Sequence, residues 1–532
     1  MHLVEDAHRT LAFPVPPAGG GPVDLTALSA CLPVRRLHGL HGPVAISAVA
    51  VHTDAVRPGA LFACLPGAAQ DGHDWAAVAV ERGAVALLVE RRLPHLAGIP
   101  QVEVPDARAG VALVAAAFHG RPDRRLLVLG VTGTNGKTTT AFMLHAVFGA
   151  AHRPLGLLGT VTYRLGRREV PAPLTTPEAP TLHALLAEMA GAGLQGVAME
   201  ASSHALSQGR LEGVEVDTAI FTNLSRDHLD YHGSAMAYFA AKRLLFRPRG
   251  GHKPFPALAV VCTDNAAGRL LAREAQSCRQ VVTFGLDQPA DVWGRYRADG
   301  AGSGTLSVRG LWGRGEVSLP LPGRHNAQNA LGALAAACAN GVPFDTVAHA
   351  LATMNGVPGR FEPIEAGQRF AVVVDFAHNP DGLRWALVAA RRRCGGRLRL
   401  VFGCKGGDGD QEKRRRMGAL AGRLADVVYL TTDDPYQEDP EQIAAAVQGG
   451  LAPTAALYHV VLDRPTAIRQ AIGDAHPGDL VLVAGRGHEV RQAVVGGHRP
   501  LDDRAVCRAA LLQRLGTPSG ADLALAAHTP SG

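Results

Sequence analysis

Along the chain, short runs of Val and Leu alternate with longer stretches rich in Ala, Leu and Arg. A short apolar run suits a strand buried on both faces, and the longer mixed stretches suit helices that cover it. Repeated in this order, the two predict parallel sheets flanked by helices, an α/β fold. One series of strand candidates is Leu126–Val131, Val197–Glu200, Thr218–Asn223 and Ala257–Cys262. A second, Phe370–Phe376, Leu398–Gly403, Val427–Thr431 and Leu480–Ala484, follows the turn-like Gly356-Val357-Pro358-Gly359. A helix is predicted over Met236–Phe246. A smaller α/β unit precedes both series and ends near Arg121-Pro122-Asp123. The expected domains are therefore residues 1–123, 124–357 and 358–532, each within the usual domain size. The segments Phe13–Pro22 and Gly516–Gly532, rich in Pro, Gly, Ser or Ala, read as flexible ends, and no internal repeat is visible.

Composition narrows the class. A chain of 532 residues exceeds one ordinary core, so several domains are expected. With 47% hydrophobic and 19% charged residues and no apolar run long enough to span a bilayer, no membrane insertion is expected. The N-terminus lacks a basic region followed by an apolar stretch, which predicts a cytoplasmic location. The 8 cysteines form no Cys-x-x-Cys pair, which argues against structural zinc and a disulfide framework and for reduced, mostly buried thiols. Lys and Arg exceed Asp and Glu by 53 to 47, a charge of +6 that suits anionic small molecules. The basic runs Arg391–Arg393 and Lys413–Arg416 lack interleaved aromatics and predict solvated faces; no nucleic-acid partner is expected.

Candidate chemistry begins at Leu126–Thr140, where an apolar run leads into a Gly-rich turn, a lysine and three threonines. Glycines let backbone N–H groups close around phosphate oxygens, and the helix that follows turns its positive end inward. Gly133, Thr134, Asn135 and Gly136 would form that cradle for ATP, Lys137 would reach the transferring end, Thr138 would ligate Mg²⁺ and Thr139 continues the helix start. The common P-loop has Gly where this chain has Val131, and the glycines here fall at Gly130, Gly133 and Gly136.

Other polar residues gather just after strands, where open parallel sheets bind ligands. Glu200 ends one apolar run and suits Mg²⁺, although taken alone it also suits the start of a turn. The loop Asn223–His232 holds two aspartates and two histidines, a pattern equally compatible with hydrogen-bonded structure. Lys242 lies on the predicted helix, where a solvent-facing lysine is the ordinary reading.

These motifs, in this order, resemble the Mur ligases, ATP-dependent amino-acid-adding enzymes of peptidoglycan synthesis, and among them the branch that forms the UDP-N-acetylmuramoyl tripeptide. The resemblance runs from about Val51 to Arg504 and rests on eight segments. They are Gly130–Thr140, Thr175-Thr176-Pro177-Glu178, Met199–Leu206, Asn223–His232, Ala240-Ala241-Lys242, Gly323–Asn329, Pro358-Gly359-Arg360 and Asp375–Leu383. It implies three domains: one for the UDP-sugar, a central P-loop ATPase and a Rossmann-like C-terminal domain for the amino acid. The implied reaction moves the ATP γ-phosphoryl onto a carboxylate, giving an acyl phosphate that an amine displaces. Lys137, Glu200, His228 and Lys242 are the implied catalytic residues, with Thr138, Glu200, His228 and Lys242 at two Mg²⁺ ions, Lys242 as a carbamate formed with CO₂. Such a lysine must be partly buried with a lowered pKa, so that neutral amine exists to react. Asn326 and Asn329 match adenine-side positions, and Arg360 and Asp375 match residues that reach ATP from the C-terminal domain. Thr53, Thr175, Thr176, Ser202, Gln208 and Arg210 match positions for the UDP-muramoyl dipeptide. The partners implied are that dipeptide and a free diamino acid, taken by a monomer.

Two departures stand out. The family's N-terminal Asp-Ser-Arg aligns with His52-Thr53-Asp54, ahead of Val56-Arg57-Pro58-Gly59. In the amino-acid pocket, relatives that add meso-diaminopimelate carry Asp-Asn-Pro-Arg, and this chain carries Asp433-Asp434-Pro435-Tyr436. Tyrosine cannot replace the planar cationic fork that grips a distal carboxylate, and Asp434 adds negative charge that favours a bare ammonium. L-lysine or L-ornithine is therefore expected over meso-diaminopimelate. Gly485-Arg486-Gly487-His488-Glu489 resembles Gly-Lys-Gly-His-Glu; Glu489 is expected on the amino acid, and Arg486 keeps a carboxylate contact open. The alternatives are a related ligase acting on another glutamyl acceptor and a non-catalytic nucleotide-binding regulator; the presence of Lys137, Glu200, His228 and Lys242 speaks against the regulator.

Overall fold

The computed structural model describes residues 21–67, 70–247, 255–299, 303–407 and 410–516. Most of both predicted flexible ends, residues 13–20 and 517–532, lies outside the described residues. Three α/β layers carry the chain, each built on its own sheet.

The first sheet has five strands in the order Arg36–His38, Gln101–Glu103, Ala84–Val89, Ala60–Ala63, Ala48–Ala50, parallel except for Arg36–His38. The largest has eleven. Its parallel centre runs Leu155–Leu158, Gly196–Glu200, Leu127–Thr132, Thr218–Phe221, Leu258–Cys262, Gln280–Gly285. Each of the four predicted strands of this series appears, displaced by at most two residues at an end. Leu127–Thr132 lies in the middle and is apolar on both faces, so it is packed from both sides. One side is covered by the Ala-rich helices Lys137–Ala150 and Arg324–Ala339, whose Phe142, Phe148, Leu331 and Leu334 fill a single core. The sheet continues through an antiparallel run, Val292–Asp299, Ser303–Gly310 and Gly313–Leu319, where the residue pattern raises no expectation of a strand. Its inward set, Val292, Leu306, Val308 and Val317, is interrupted by glycines and charges, which hides it among loop-like composition.

The third sheet orders its strands Glu362–Pro363, Ala371–Asp375, Leu480–Ala484, Leu398–Phe402, Val427–Leu430, Leu457–Val460, all parallel but the first. The four predicted strands of the second series are among them. Leu480–Ala484, last in sequence, enters between two earlier strands. The chain therefore reverses its winding there, and loops from three neighbouring strands open a crevice at their carboxyl ends.

The predicted helix over Met236–Phe246 forms as Ala235–Arg243, capped by Ser234, whose hydroxyl accepts from Ala237 N–H. The basic run Lys413–Arg416 corrects an expectation. It lies in the helix Gln411–Leu424, where four consecutive residues sweep most of a turn, so two must face inward. Arg415 and Arg416 are exposed, but Arg414 is buried against Glu438 and Lys413 reaches toward Asp227 of the central layer. The cysteines are free thiols, six of them buried. Among the described residues no helix is long and apolar enough to cross a membrane.

Candidate active site

The turn after Leu127–Thr132 wraps back on itself because glycines stand where side chains cannot. Gly133 has φ +149° and Gly136 φ +89°; a Cβ on Gly136 would meet the Asn329 side chain at 2.2 Å. The loop is tied to its neighbour: Thr134 N–H donates to Asn223 O (2.9 Å) and Asn135 N–H to Asn223 Oδ1 (3.0 Å). Lys137 Nζ lies over the same turn and donates to Gly133 O (3.0 Å) and Thr134 O (2.9 Å). Thr138 and Thr139 are buried in the first turn of the helix.

Lys242 is not on the surface. It is 1% exposed, donates to Gly133 O at 2.7 Å and sits 4.2 Å from the centre of the Tyr238 ring. Burial and the cation of Lys137 push its pKa well below the ordinary lysine value, against the pull of Asp227. Lys137 is itself lowered by burial, with Glu200 and Asp227 opposing. Two lysines thus crowd one loop without a carboxylate at ion-pair distance among the described residues.

Glu200 is 1% exposed at the end of its strand. Thr160, which sequence reasoning missed, fixes it: the Thr160 N–H donates to Oε1 (2.7 Å) and its hydroxyl to Oε2 (3.1 Å). Gly159 precedes it because a Cβ there would stand 2.4 Å from Glu200 Oε1. The Thr160 hydroxyl also meets the Thr175 hydroxyl at 3.1 Å, and the Thr160 carbonyl lies 3.2 Å from His488 Nε2. A Gly-Thr pair ending a buried strand was the available signal.

Five of the six acceptor-side residues come together. The Thr176 hydroxyl donates to Glu200 O (2.7 Å) and accepts from Ser202 N–H (3.1 Å). Arg210 donates to Thr176 O (2.9 Å) and to Gln208 Oε1 (2.7 Å), and pairs with Glu178 (2.9 Å). Thr53 lies in the turn Thr53–Ala55 of the first layer and shares no hydrogen bond with the other five among the described residues, although its neighbour His52 feels the charges of Glu178 and Arg210.

His228 occupies the left-handed region (φ +50°), a strained position for a non-glycine residue that turns its ring toward His204, 4.8 Å away. Burial lowers its pKa against the pull of Asp227. Asp227 is buried too, but His228, Lys413 and His378 hold its carboxyl well below the usual range. Asn379 donates to both Asn135 Oδ1 and Asp227 Oδ2 at 3.1 Å, a strut from the third layer to the phosphate loop. Lys413, Asp227, His378 and Asn379 were not singled out as site residues from the sequence, although the last three lie inside segments that carry the resemblance.

On the nucleotide side, Asn326 Nδ2 donates to Pro322 O (2.8 Å) and Asn329 Nδ2 to Asn326 Oδ1 (3.3 Å), beside Gly136. Arg360 crosses from the third layer, lies 4.4 Å over the Phe376 ring and donates to Thr138 Oγ1 at 2.9 Å. Asp375 is used locally: its carboxylate accepts from Phe361 N–H (2.7 Å) and Ala377 N–H (2.8 Å), while burial raises its pKa.

The crevice of the third sheet collects Asp433, Asp434, Tyr436, Arg486 and Glu489. Arg486 is fully buried, ion-paired to Asp434, and donates to Arg491 O. These contacts take up Nη1 and Nη2 and leave Nε without a hydrogen-bond partner, the one atom of Arg486 left for the carboxylate contact expected of it. Asp433 is 0% exposed and neither of its oxygens has a hydrogen-bond partner; Glu489 Oε2 has none either. Burial pushes Glu489 up to about 7, against Lys405. Tyr436 has φ +55°. Lys405 was not foreseen: its Nζ lies 2.8 Å from Glu489 Oε1 and 3.1 Å from Asp434 Oδ2.

A phosphate loop on a parallel sheet, reached by an arginine and an asparagine from a second sheet whose crevice is lined with carboxylates, defines a multidomain ATP-dependent ligase. Comparison with known proteins agrees. Residues 45–119, 131–337 and 359–487 match the Mur ligase family catalytic domain, the Mur ligase middle domain and the Mur ligase glutamate ligase domain. The UDP-N-acetylmuramoyl-L-alanyl-D-glutamate--2,6-diaminopimelate ligase of Geobacillus thermodenitrificans is 42% identical over 88% of this chain and 95% of its own. Its namesake from Streptomyces coelicolor is 41% identical over 89% and 94%. A solved structure of a ligase of the same name superposes with a TM-score of 0.64 at 30% identity, covering 93% of this chain and 99% of that one. The chain belongs to the Mur ligase family. It is an ATP-dependent, ADP-forming acid–amino-acid ligase of peptidoglycan synthesis that uses Mg²⁺.

The residues near the phosphate loop fit that metal. Glu200 is a buried carboxylate with no ion-pair partner among the described residues, and Thr138 Oγ1 accepts from Arg360, on which the Glu200 charge also acts. A carboxylate and a hydroxyl are the hard oxygen donors magnesium takes.

Proposed function

We propose that this ligase joins L-lysine or L-ornithine to UDP-N-acetylmuramoyl-L-alanyl-D-glutamate, with release of ADP and phosphate. The observation that carries the amino acid is Asp433, a carboxyl group wholly buried with neither oxygen hydrogen-bonded and Arg486 3.6 Å away, beside Asp434 and Glu489. A buried carboxyl without a hydrogen-bond donor is costly, and burial with Asp434 beside it raises the Asp433 pKa; an incoming ammonium supplies the missing donors and favours the ionised form. A distal carboxylate would find only the Nε of Arg486 unpartnered, since its Nη1 pairs with Asp434, and Tyr436 stands at the position where diaminopimelate-adding relatives have arginine. The relatives compared are named for 2,6-diaminopimelate; what supports the different reading for this chain is the charge in its own pocket.

The reaction runs in two steps. The acceptor carboxylate attacks the ATP γ-phosphorus, giving an acyl phosphate and ADP. The neutral α-amine of the diamino acid then attacks the acyl carbon, and the tetrahedral intermediate expels inorganic phosphate as the nitrogen loses a proton. Lys137 neutralises charge on the transferring phosphoryl group, and Thr134, Asn135 and the Gly133–Gly136 backbone orient it. Thr139 continues the loop. Asn326 and Asn329 line the base side, and Arg360 and Asp375 complete the nucleotide site from the C-terminal domain. Thr138, Glu200 and His228 would hold Mg²⁺, which spreads the negative charge of the phosphoryl group. Lys242 as an ammonium is no ligand. Its burial and lowered pKa supply neutral amine, and reaction of that amine with CO₂ gives a carbamate plus a proton, turning a cation into an oxygen ligand. Thr175, Thr176, Ser202, Gln208 and Arg210 would hold the dipeptide end of the acceptor and Thr53 the uridine end.

Domains of residues 1–123, 124–357 and 358–532, a monomeric state and a cytoplasmic location complete the reading. The test is phosphate release with ATP, Mg²⁺ and the UDP-muramoyl dipeptide, with L-lysine, L-ornithine and meso-diaminopimelate offered separately. Preference for lysine or ornithine is expected, and preference for diaminopimelate refutes the pocket argument. Silence with all three points to another glutamyl acceptor, a reading the altered His52-Thr53-Asp54 segment leaves open although Thr175-Thr176-Pro177-Glu178 and Ser202–Leu206 argue against it.

A further inference from the structure

The amino-acid crevice already contains an ammonium of its own. Lys405 follows the strand Leu398–Phe402, and its backbone is clamped on several sides. Gly406 N–H donates to Asp434 O (2.7 Å), Gly407 N–H to Glu438 (3.0 Å), and buried Arg414 donates to Lys405 O (3.3 Å) while pairing with Glu438. Gly406 has no room for a side chain, since a Cβ would lie 2.2 Å from Pro435 O. The loop therefore aims Lys405 inward rather than leaving it to sample solvent, and its Nζ bridges Glu489 and Asp434.

The crevice then divides by charge. Asp433, Asp434 and Glu489 face two fixed cations, Arg486 and Lys405; Arg464, also near, is neutralised by Asp503 at 2.7 Å. One carboxylate remains in excess. Lys405 takes Glu489 Oε1 and Asp434 Oδ2, and the atoms left without a hydrogen bond are both Asp433 oxygens and Glu489 Oε2, of which Asp433 Oδ1 and Glu489 Oε2 stand 3.6 and 3.7 Å from Arg486. One ammonium is supplied by the protein, and the three oxygens without hydrogen bonds are those a second ammonium would complete.

We propose that Lys405 is a specificity-determining residue that sets the length of the amino acid accepted: its ammonium fills the first cation position, so that only a side-chain ammonium short enough to stop at Asp433 and Glu489 Oε2 is taken. This rests on the reading that the substrate is a diamino acid with a bare ammonium. Under it, L-ornithine is preferred to the one-carbon-longer L-lysine, and removing the Lys405 charge opens the second position to the longer chain.

The experiment measures kcat and KM for L-ornithine, L-lysine and meso-diaminopimelate in Lys405→Met and Lys405→Gln, with KM for ATP and the thermal midpoint as controls for folding. The expected result is a rise of tenfold or more in the kcat/KM ratio of lysine to ornithine in both variants, with KM for ATP unchanged. A general loss of packing would lower both amino acids alike and leave the ratio where it was. A ratio within twofold of the parent enzyme overturns the length role while leaving the bare-ammonium reading intact. A parent enzyme that prefers diaminopimelate and loses it selectively in Lys405→Met overturns both, since Lys405 would then be the counter-ion of the distal carboxylate.

Discussion

The phosphate loop and the amino-acid crevice both bury charge at the carboxyl ends of parallel strands, yet they solve opposite problems. Around Gly133–Thr138 cations are in excess: Lys137 and Lys242 share carbonyl acceptors, burial lowers both pKa values, and the anion that balances them arrives with ATP. In the crevice carboxylates are in excess: Asp433 lacks donors and Glu489 is raised to about 7. Each end is preorganised for the opposite charge, and the unsatisfied groups mark where substrate completes the structure.

The comparison breaks hardest at Lys242. Lys242→Ala is expected to lower turnover by about 10³-fold, the scale of losing a group that stabilises transferring charge. Nucleotide binding, measured by ATP titration, should stay within a few fold. Retained turnover would remove the carbamate from the mechanism.

At the crevice the larger test restores the diaminopimelate pattern. Asp434→Asn, Tyr436→Arg and Arg486→Lys together reverse two charge changes and supply a guanidinium fork. The kcat/KM ratio of meso-diaminopimelate to L-lysine is expected to rise by about 30- to 100-fold, the range for pairing or stranding a buried charge. Asp434→Asn alone would strand Arg486, so the single change should destabilise the fold more than the triple one, which thermal unfolding would reveal.

These two ends differed in how much the sequence disclosed. The strand series, the phosphate loop and Lys242 were legible because glycine spacing and apolar runs are local, and a family motif marked the lysine whose burial no local pattern reveals. The crevice was legible only by subtraction: Tyr436 in place of arginine said what was missing. What filled the space, Lys405, came from the loop after a different strand, and its direction depends on Gly406 meeting Pro435 and on Arg414 holding its carbonyl. Arg486 looked free because its pairing with Asp434 joins two strand ends that only the inserted strand Leu480–Ala484 brings together.

A smaller effect sharpens the contrast through pH. Glu489, raised to about 7 by burial and by Asp434 and Asp433 against Lys405 and Arg486, must be ionised to hold an ammonium. Below that pH, binding of the amino acid has to expel a proton. KM for the diamino acid should therefore rise as pH falls beneath about 7, by at most about tenfold per unit. The KM for ATP should not follow. Glu489→Gln should flatten the profile at a uniformly high KM.

The smallest expected effect tests whether the two ends communicate. Thr160 touches both: its N–H and hydroxyl hold Glu200, and its carbonyl faces His488, the neighbour of Glu489. Thr160→Val keeps the shape and the N–H bond but removes the hydroxyl bonds to Glu200 and Thr175. One such bond contributes about 1 kcal/mol, so kcat is expected to fall roughly three- to tenfold. Because the carbonyl contact survives, KM for the amino acid should hold. If KM rises in step with the fall in kcat, the hydroxyl also serves the crevice, and the oppositely charged ends act as one site through Thr160 rather than as two that substrate alone connects.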